Sequence, residues 1–269
     1  MAAATLDEVL APLVEDPSRT AVLLDVDGTL APIVRHADEA HVPEPIRSLL
    51  IDIAGRYRLV ACVSGRRAAD ARRMVGLGTI SYVGNHGAEL LRSGQTQTEI
   101  PDEMKPWIRR IGEFHRRVQS ELGLERLRIR SEDKALIFGY HWRGAPDVEA
   151  AERVIEELER QAQEAGLVTH RGRMVLEVRP AIPFDKGIGI GRLLAADAQI
   201  ERGLYMGDDR TDADAFVELH AALADGRLKY AACIGVASHE TPAEVEQGAD
   251  VLVDGTEGVR AVLTQLARS

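Results

Sequence analysis

The 269-residue chain reads as an α/β protein with a mostly parallel sheet, interrupted by a smaller α+β segment. Three observations predict this. Short apolar runs recur along the chain with helical patterns between or beside most of them, the alternation expected of a parallel sheet covered on both faces. Several of these runs end in acids, glycines or hydroxyls, as strands do when their C-terminal ends build a site. Between about Pro101 and Pro180 the pattern changes to polar helices and charged strand-like stretches, which marks an insertion.

In chain order, Leu6, Val9, Leu10, Leu13 and Val14 recur at helical spacing and predict a short amphipathic helix. Buried strands are expected at Ala21–Asp25, Leu59–Ser64, Ile80–Val83, Leu204–Asp208, Ala231–Val236 and Asp250–Val253. Within the insertion, a polar helix passes through Trp107–Ile108 and Phe114, followed by strand-like Leu127–Tyr140. A second helix carries Val148, Ala151, Ile155, Leu158, Ala162 and Ala165 on one face, and Met174–Val178 returns to strand character. Trp107 and Trp142 are expected to pack inside this segment. The predicted core therefore comprises residues 1–103 and 181–269, with 104–180 inserted.

A hydrophobic content of 45% and a mean hydropathy of -0.14 describe an ordinary soluble globule. The net charge of -10 argues against a general nucleic-acid binder, because no broad positive face is available to displace counterions. Cys62 and Cys233 lie in apolar runs and read as buried thiols of a reducing cytosol. The N-terminal stretch carries Asp7, Glu8, Glu15 and Asp16, with no basic start or long apolar run. That composition argues against a signal peptide or membrane span and for a cytoplasmic protein.

The most informative run is Asp25-Val26-Asp27-Gly28-Thr29-Leu30, directly after the apolar stretch Ala21–Leu24. Side chains at i and i+2 of a strand leave the same face, so Asp25 and Asp27 would crowd unless the chain bends or a cation intervenes. A divalent metal relieves the repulsion and leaves one acid to attack and the other to move a proton. Asp-Gly between apolar runs is equally a hairpin signal. The run Leu59–Val63 ends in Ser64, Gly65 and Arg66, which suit a phosphoryl oxygen but also an ordinary turn. Asp185-Lys186-Gly187 opens a helix, placing Lys186 where dipole and ammonium both favour an anion. Leu204–Met206 leads into Asp208, Asp209 and Asp212, three acids where a helix cap needs one. In Gly84-Asn85-His86-Gly87, His86 is a titratable ring near these motifs. The reading preferred here is a turn shaped by the glycines and fixed by Asn85 or His86.

This ordered set resembles the four motifs of the haloacid dehalogenase-like phosphatases. Within that superfamily, Tyr82–Glu89, Glu132-Asp133-Lys134 followed by His141-Trp142-Arg143, and Glu177-Val178-Arg179-Pro180 resemble the trehalose-6-phosphate phosphatase family. The resemblance runs from about Thr20 to about Leu266. Val26 departs from the Tyr common there, but this residue faces away from the acids. The resemblance implies a Rossmann-like core with an inserted C2B-type cap, and hydrolysis of trehalose 6-phosphate through an aspartyl-phosphate. Asp25 would be the nucleophile and Asp27 the acid and base, with Ser64, Gly65, Arg66 and Lys186 on the phosphate. Mg²⁺ would sit on Asp25, the Asp27 carbonyl and Asp208, with Asp209 and Asp212 orienting its waters. Asn85, His86, Glu132, Lys134, His141, Arg143 and Glu177 would meet the sugar. A trehalose-6-phosphate synthase is the implied functional partner.

Arg128, Arg130, Glu132 and Lys134 alternate along one strand face and Glu177 and Arg179 along another, a pattern that also fits a solvated sheet. His141 and Arg143 are out of parity with Lys134, so a bulge or turn is needed to bring them to that face. Rival readings keep the chemistry and change the sugar to a sucrose-, mannosyl- or glucosylglycerate-type substrate, or make the chain a phosphomutase relative. A non-catalytic sugar-phosphate sensor is a further class, against which the intact Asp25, Asp27, Lys186 and Asp208 count.

Overall fold

The computed structural model describes residues 5–34, 40–238 and 241–268. The chain divides into two compact units, Met1–Glu99 with Phe184–Ser269 and the intervening Ile100–Pro183. The first contributes α1 (Leu6–Glu15), β1 (Thr20–Asp25), α2 (Glu44–Ala54), β2 (Leu59–Val63), α3 (Ala68–Val75), β3 (Ser81–Gly84) and β4 (Glu89–Leu91). The second holds α4 (Lys105–Glu121), β5 (Arg130–Asp133), β6 (Phe138–His141), α5 (Val148–Glu164), β7 (Val168–Gly172) and β8 (Val175–Arg179). The first then resumes with α6 (Lys186–Ala195), β9 (Arg202–Gly207), α7 (Asp212–Ala224), β10 (Tyr230–Ala237), α8 (Ala243–Gly248), β11 (Val251–Asp254) and α9 (Gly255–Arg268).

The larger sheet has the order β11-β10-β9-β1-β2-β3-β4 and is parallel except for the β3–β4 pair. Every residue of β1 is buried, because its two faces pack into different cores. Val22 and Leu24 join Leu10, Leu50, Ile53, Val262 and Leu266 on one side. Ala21 and Leu23 join Ile190, Leu193, Phe216 and Leu219 on the other. A strand covered twice needs apolar residues at both parities, which explains the unbroken run in the sequence. Register then places the strand ends: Asp25 lies opposite Val63 on β2, and Leu24 opposite Met206 on β9. The chain moves outward from β1 in both directions, so the ends of β1, β2 and β9 flank the crevice where such sheets bind ligands.

The smaller unit is a four-stranded antiparallel sheet, β5-β6-β8-β7, backed by two helices. Phe138, Tyr140, Leu176 and Val178 face Ile111, Phe114 and Val118 of α4 and Ile155 and Leu158 of α5. Trp142 is buried in this core and Trp107 packs against it, as expected. The stretch Leu127–Tyr140 is not one strand but a short helical turn followed by a hairpin, β5 and β6. The hairpin turns at Lys134–Ile137, with Ala135 in the left-handed region (φ 65°) and its amide held by the Asp133 side chain at 2.7 Å. Among the described residues no helix is long and apolar enough to cross a membrane.

Candidate active site

β1 ends at Asp25, and the next residues form a tight turn in which Val26 O accepts from the amides of Leu30 and Ala31. The turn, rather than the strand, carries Asp27, so the two acids separate. Asp25 stays buried, while Asp27 is half-exposed and gripped by Arg66, whose Nε and Nη2 donate to its two oxygens at 2.8 and 2.7 Å. Gly28 adopts φ 90°, and a Cβ there would fall 2.1 Å from Asp208 Oδ2. Any other residue would be strained in conformation and would displace the Asp208 carboxylate.

Lys186 organises the centre. It is the first residue of α6, capped by the Asp185 side chain accepting from the Ile188 amide, and only 2% of it is exposed. Its Nζ donates to Asp25 Oδ1 at 2.8 Å and Asp212 Oδ1 at 2.7 Å, and lies 3.7 Å from Asp209. Asp212, the first residue of α7 and fully buried, also accepts from the Tyr205 hydroxyl on Oδ1 and from the amides of Asp208 and Asp209 on Oδ2. Both its oxygens are therefore committed to protein donors. Asp209 accepts from the amide and hydroxyl of Thr211 and from the Asp212 amide, which starts α7.

One lysine faces four acids. Burial, reinforced by Asp212 and Asp209, pushes the Asp208 carboxyl up to about 7. Burial likewise holds Asp25 well above the usual carboxylate range; Lys186 opposes that rise, and Asp212, Asp208 and Asp209 add to it. Burial disfavours the charge on Lys186, but Asp212 and Asp25 overcome it and keep the ammonium protonated. Asp209 sits below its ordinary value: burial would raise it, but Lys186 and the Thr211 hydrogen bonds prevail. One carboxylate oxygen each from Asp25, Asp208 and Asp212 lie within 4.8 Å of one another. An excess of buried oxygen ligands with no nitrogen or sulfur donor among them fits a hard divalent cation. With Asp212 saturated by four donors, Asp25 and Asp208 are the side chains left to hold it.

Ser64 and Gly65 follow β2 at the same edge. Ser64 is buried, and its Oγ accepts from the Arg66 amide at 3.1 Å. Gly65 lies against the His86 ring, where a Cβ would approach Cε1 to 2.6 Å. Asn85 and His86 occupy left-handed conformations in a tight turn, with φ 48° and 53°. Asn85 Nδ2 donates to Glu89 at 2.8 Å, and Glu89 in turn accepts from the Ala68 amide at the start of α3. Gly87 packs on the backbone of Asp185, immediately before Lys186. This turn thus braces both the loop after β2 and the start of α6. The sequence alone does not mark out Glu89 or Tyr205. Glu89 sits in a motif read for its neighbours, and Tyr205 is hidden in an apolar strand.

In the smaller unit, Glu132, Lys134, His141 and Glu177 meet on the sheet face opposite the helices. Lys134 Nζ lies 3.4 Å from Glu177 and 3.8 Å from Glu132, and His141 Nε2 is 3.0 Å from Glu132 Oε2. His141 reaches that face through the hairpin turn, which pairs it with Arg130. Arg143 lines a cavity of about 650 Å³ with Arg128, Arg130, Ser131 and Gln119.

Residues 23–247 match the sequence model of the trehalose-phosphatase family. Probable trehalose-phosphate phosphatase D of Arabidopsis thaliana is 31% identical over 208 residues, covering 72% of this chain and 55% of that protein. The chain spans about half the length of the curated relatives it matches. Among solved structures, a trehalose-6-phosphate phosphatase related protein superposes with a TM-score of 0.70 at 25% identity, covering 92% of this chain and 97% of the other. The C-terminal domain of the Candida albicans trehalose-6-phosphate phosphatase shares the fold, with a TM-score of 0.72 at 21% identity over 99% and 97% of the two chains.

The surplus of buried acid has a measurable consequence. A carboxyl whose pKa is higher folded than unfolded binds more protons in the folded state, so stability falls as pH rises between the two values. For Asp208 that window runs from the ordinary carboxylate range up to about 7. In chelator, the melting temperature should therefore drop between pH 5 and pH 7.5, measured by differential scanning calorimetry, and saturating Mg²⁺ should flatten that slope. Identical slopes with and without the cation would contradict the charge count.

Proposed function

The chain belongs to the trehalose-phosphatase family, and from that premise we propose that it hydrolyses trehalose 6-phosphate to trehalose and phosphate, completing trehalose synthesis. The observation that carries the reading is the buried Lys186 bridging Asp25 and Asp212 beside Asp208, at the ends of β1 and β9. A trehalose-6-phosphate synthase would supply the substrate. The two free buried thiols, Cys62 and Cys233, are in keeping with a cytoplasmic site of action.

In this mechanism a carboxylate oxygen of Asp25 attacks phosphorus in line, and the bond from phosphorus to the sugar oxygen breaks. Asp27 delivers a proton to that departing oxygen. As a carboxylate it then takes a proton from the water that attacks phosphorus and releases Asp25. Arg66 holds both Asp27 oxygens, so proton delivery requires one of these hydrogen bonds to open. Lys186 and the Ser64 hydroxyl hold the phosphoryl oxygens, with the backbone of Gly65 beside them. Lys186 starts α6 and Ser64 directly follows β2, which keeps both donors oriented as charge shifts in the transition state. When bound by Asp25, Asp208 and the Asp27 carbonyl, Mg²⁺ supplies charge neutralisation for the nucleophile and the phosphoryl group. Glu132, Lys134 and Glu177 recognise sugar hydroxyls, since a carboxylate accepts from two at once while the ammonium donates.

Two variants test this division of labour. Asp27→Asn should lower turnover of trehalose 6-phosphate by roughly 10²–10⁴-fold. An aryl phosphate with a good leaving group should lose much less in its first chemical step, measured by rapid quench. Equal losses would remove Asp27 from the acid role. Separately, phosphate release from a panel of sugar phosphates should favour trehalose 6-phosphate. Lys134→Ala and Glu177→Ala should cut that efficiency by about 10²-fold or more while sparing a small generic ester. A preference for another sugar phosphate would overturn the substrate and leave the phosphatase chemistry standing.

A further inference from the structure

A second group of metal-ligating side chains lies in the larger unit near the β11 edge of its sheet. His220 is on α7, Cys233 on β10, and Asp250 immediately precedes β11. One ligand atom from each lies within 4.8 Å of the other two. His220 Nε2 and Asp250 Oδ1 are 3.7 Å apart. That is too long for a hydrogen bond, yet close to the roughly 3.3 Å between two ligand atoms on one tetrahedral zinc. The Cys233 side chain is fully buried, whereas those of His220 and Asp250 are 43% and 40% exposed. Asp250 Oδ2 accepts from the Cys233 amide at 2.7 Å, which fixes the carboxylate and leaves Oδ1 on the His220 side.

We propose that His220, Cys233 and Asp250 form a binding site for a borderline-soft divalent transition metal, best matched by Zn²⁺, with water completing a tetrahedral shell. The donor set makes the assignment: sulfur, imidazole nitrogen and one carboxylate oxygen suit zinc, whereas Mg²⁺ and Ca²⁺ take oxygen alone. This separates the site from the all-carboxylate cluster at Asp25 and Asp208. The thiol now points only weakly at Phe216 O, 3.9 Å away. Burial pushes it up, so it is protonated at neutral pH. Binding breaks the S–H bond, sends the proton to solvent and forms a sulfur–metal bond with no change of oxidation state. The ion joins α7 to β10 and to the chain entering β11, and so braces the exposed end of the sheet.

The test is a Co²⁺ titration of the full chain in excess Mg²⁺, which occupies the oxygen-only cluster. A near-ultraviolet sulfur-to-cobalt charge-transfer band should grow to a single equivalent and disappear when Zn²⁺ is added. Cys62→Ser should keep the band and Cys233→Ser should abolish it. His220→Ala, a change at a half-exposed position, should weaken Co²⁺ binding by roughly tenfold or more, and it carries the test if Cys233→Ser does not fold. No band in the unmodified protein, a band that survives Cys233→Ser, or unchanged affinity in His220→Ala would each overturn the proposal.

Discussion

The ammonium of Lys186 is the interaction on which the rest of the site depends. It is enclosed almost completely and bonded to Asp25 and Asp212, so it anchors three parts of the fold at one point. Asp25 brings the end of β1, Lys186 the start of α6, and Asp212 the start of α7. Asp212 extends the anchor by accepting the Asp208 and Asp209 amides, which sets the backbone of the loop that follows β9. Removing one member of such a group leaves a buried charge unpaired, a cost of about 3–5 kcal/mol. Scaffold and proposed chemistry therefore share the same atoms.

The surplus of negative charge follows directly from that arrangement. One ammonium offsets part of what Asp25, Asp208, Asp209 and Asp212 carry, and burial lifts Asp25 and Asp208 above the range of ordinary carboxylates. A hard cation is the remedy that does not require protonating the proposed nucleophile. It also bears on how a chain of net charge -10 would attract an anion. Attraction would have to be local, from a cation held by Asp25 and Asp208 together with Lys186, because the overall field repels.

Much of this was legible because burial leaves plain marks in sequence. The apolar runs of β1, β2, β9 and β10 are strands buried on both faces, and the motifs that end β1 and β9 flank the point where the strand order reverses. What the sequence does not mark depends on partners distant along the chain or on polar strands. β4 is only Glu89-Leu90-Leu91, too short for a periodic signal, and β7 reads Val-Thr-His-Arg-Gly, with a polar face open to solvent. The turn between β5 and β6 uses Ala135 in a conformation that usually selects glycine, so nothing in Leu127–Tyr140 announces a hairpin. Arg66 reads as a phosphate ligand by its place after Ser64, yet it grips Asp27, 39 residues away. Asp212 reads as a residue that orients waters, and its oxygens are taken up by Lys186, Tyr205 and two amides.

Asp25, held by Lys186, is the proposed site of a covalent phosphoryl intermediate. The most direct measurement is to mix the protein with trehalose 6-phosphate and Mg²⁺, quench within the first turnover, reduce with borohydride and map the chain by mass spectrometry. An acyl phosphate on Asp25 would be reduced to homoserine, so homoserine is expected at position 25 and unmodified aspartate at 27, 208, 209 and 212. Reduction at another of these positions, or at none while phosphate is still released, would contradict it.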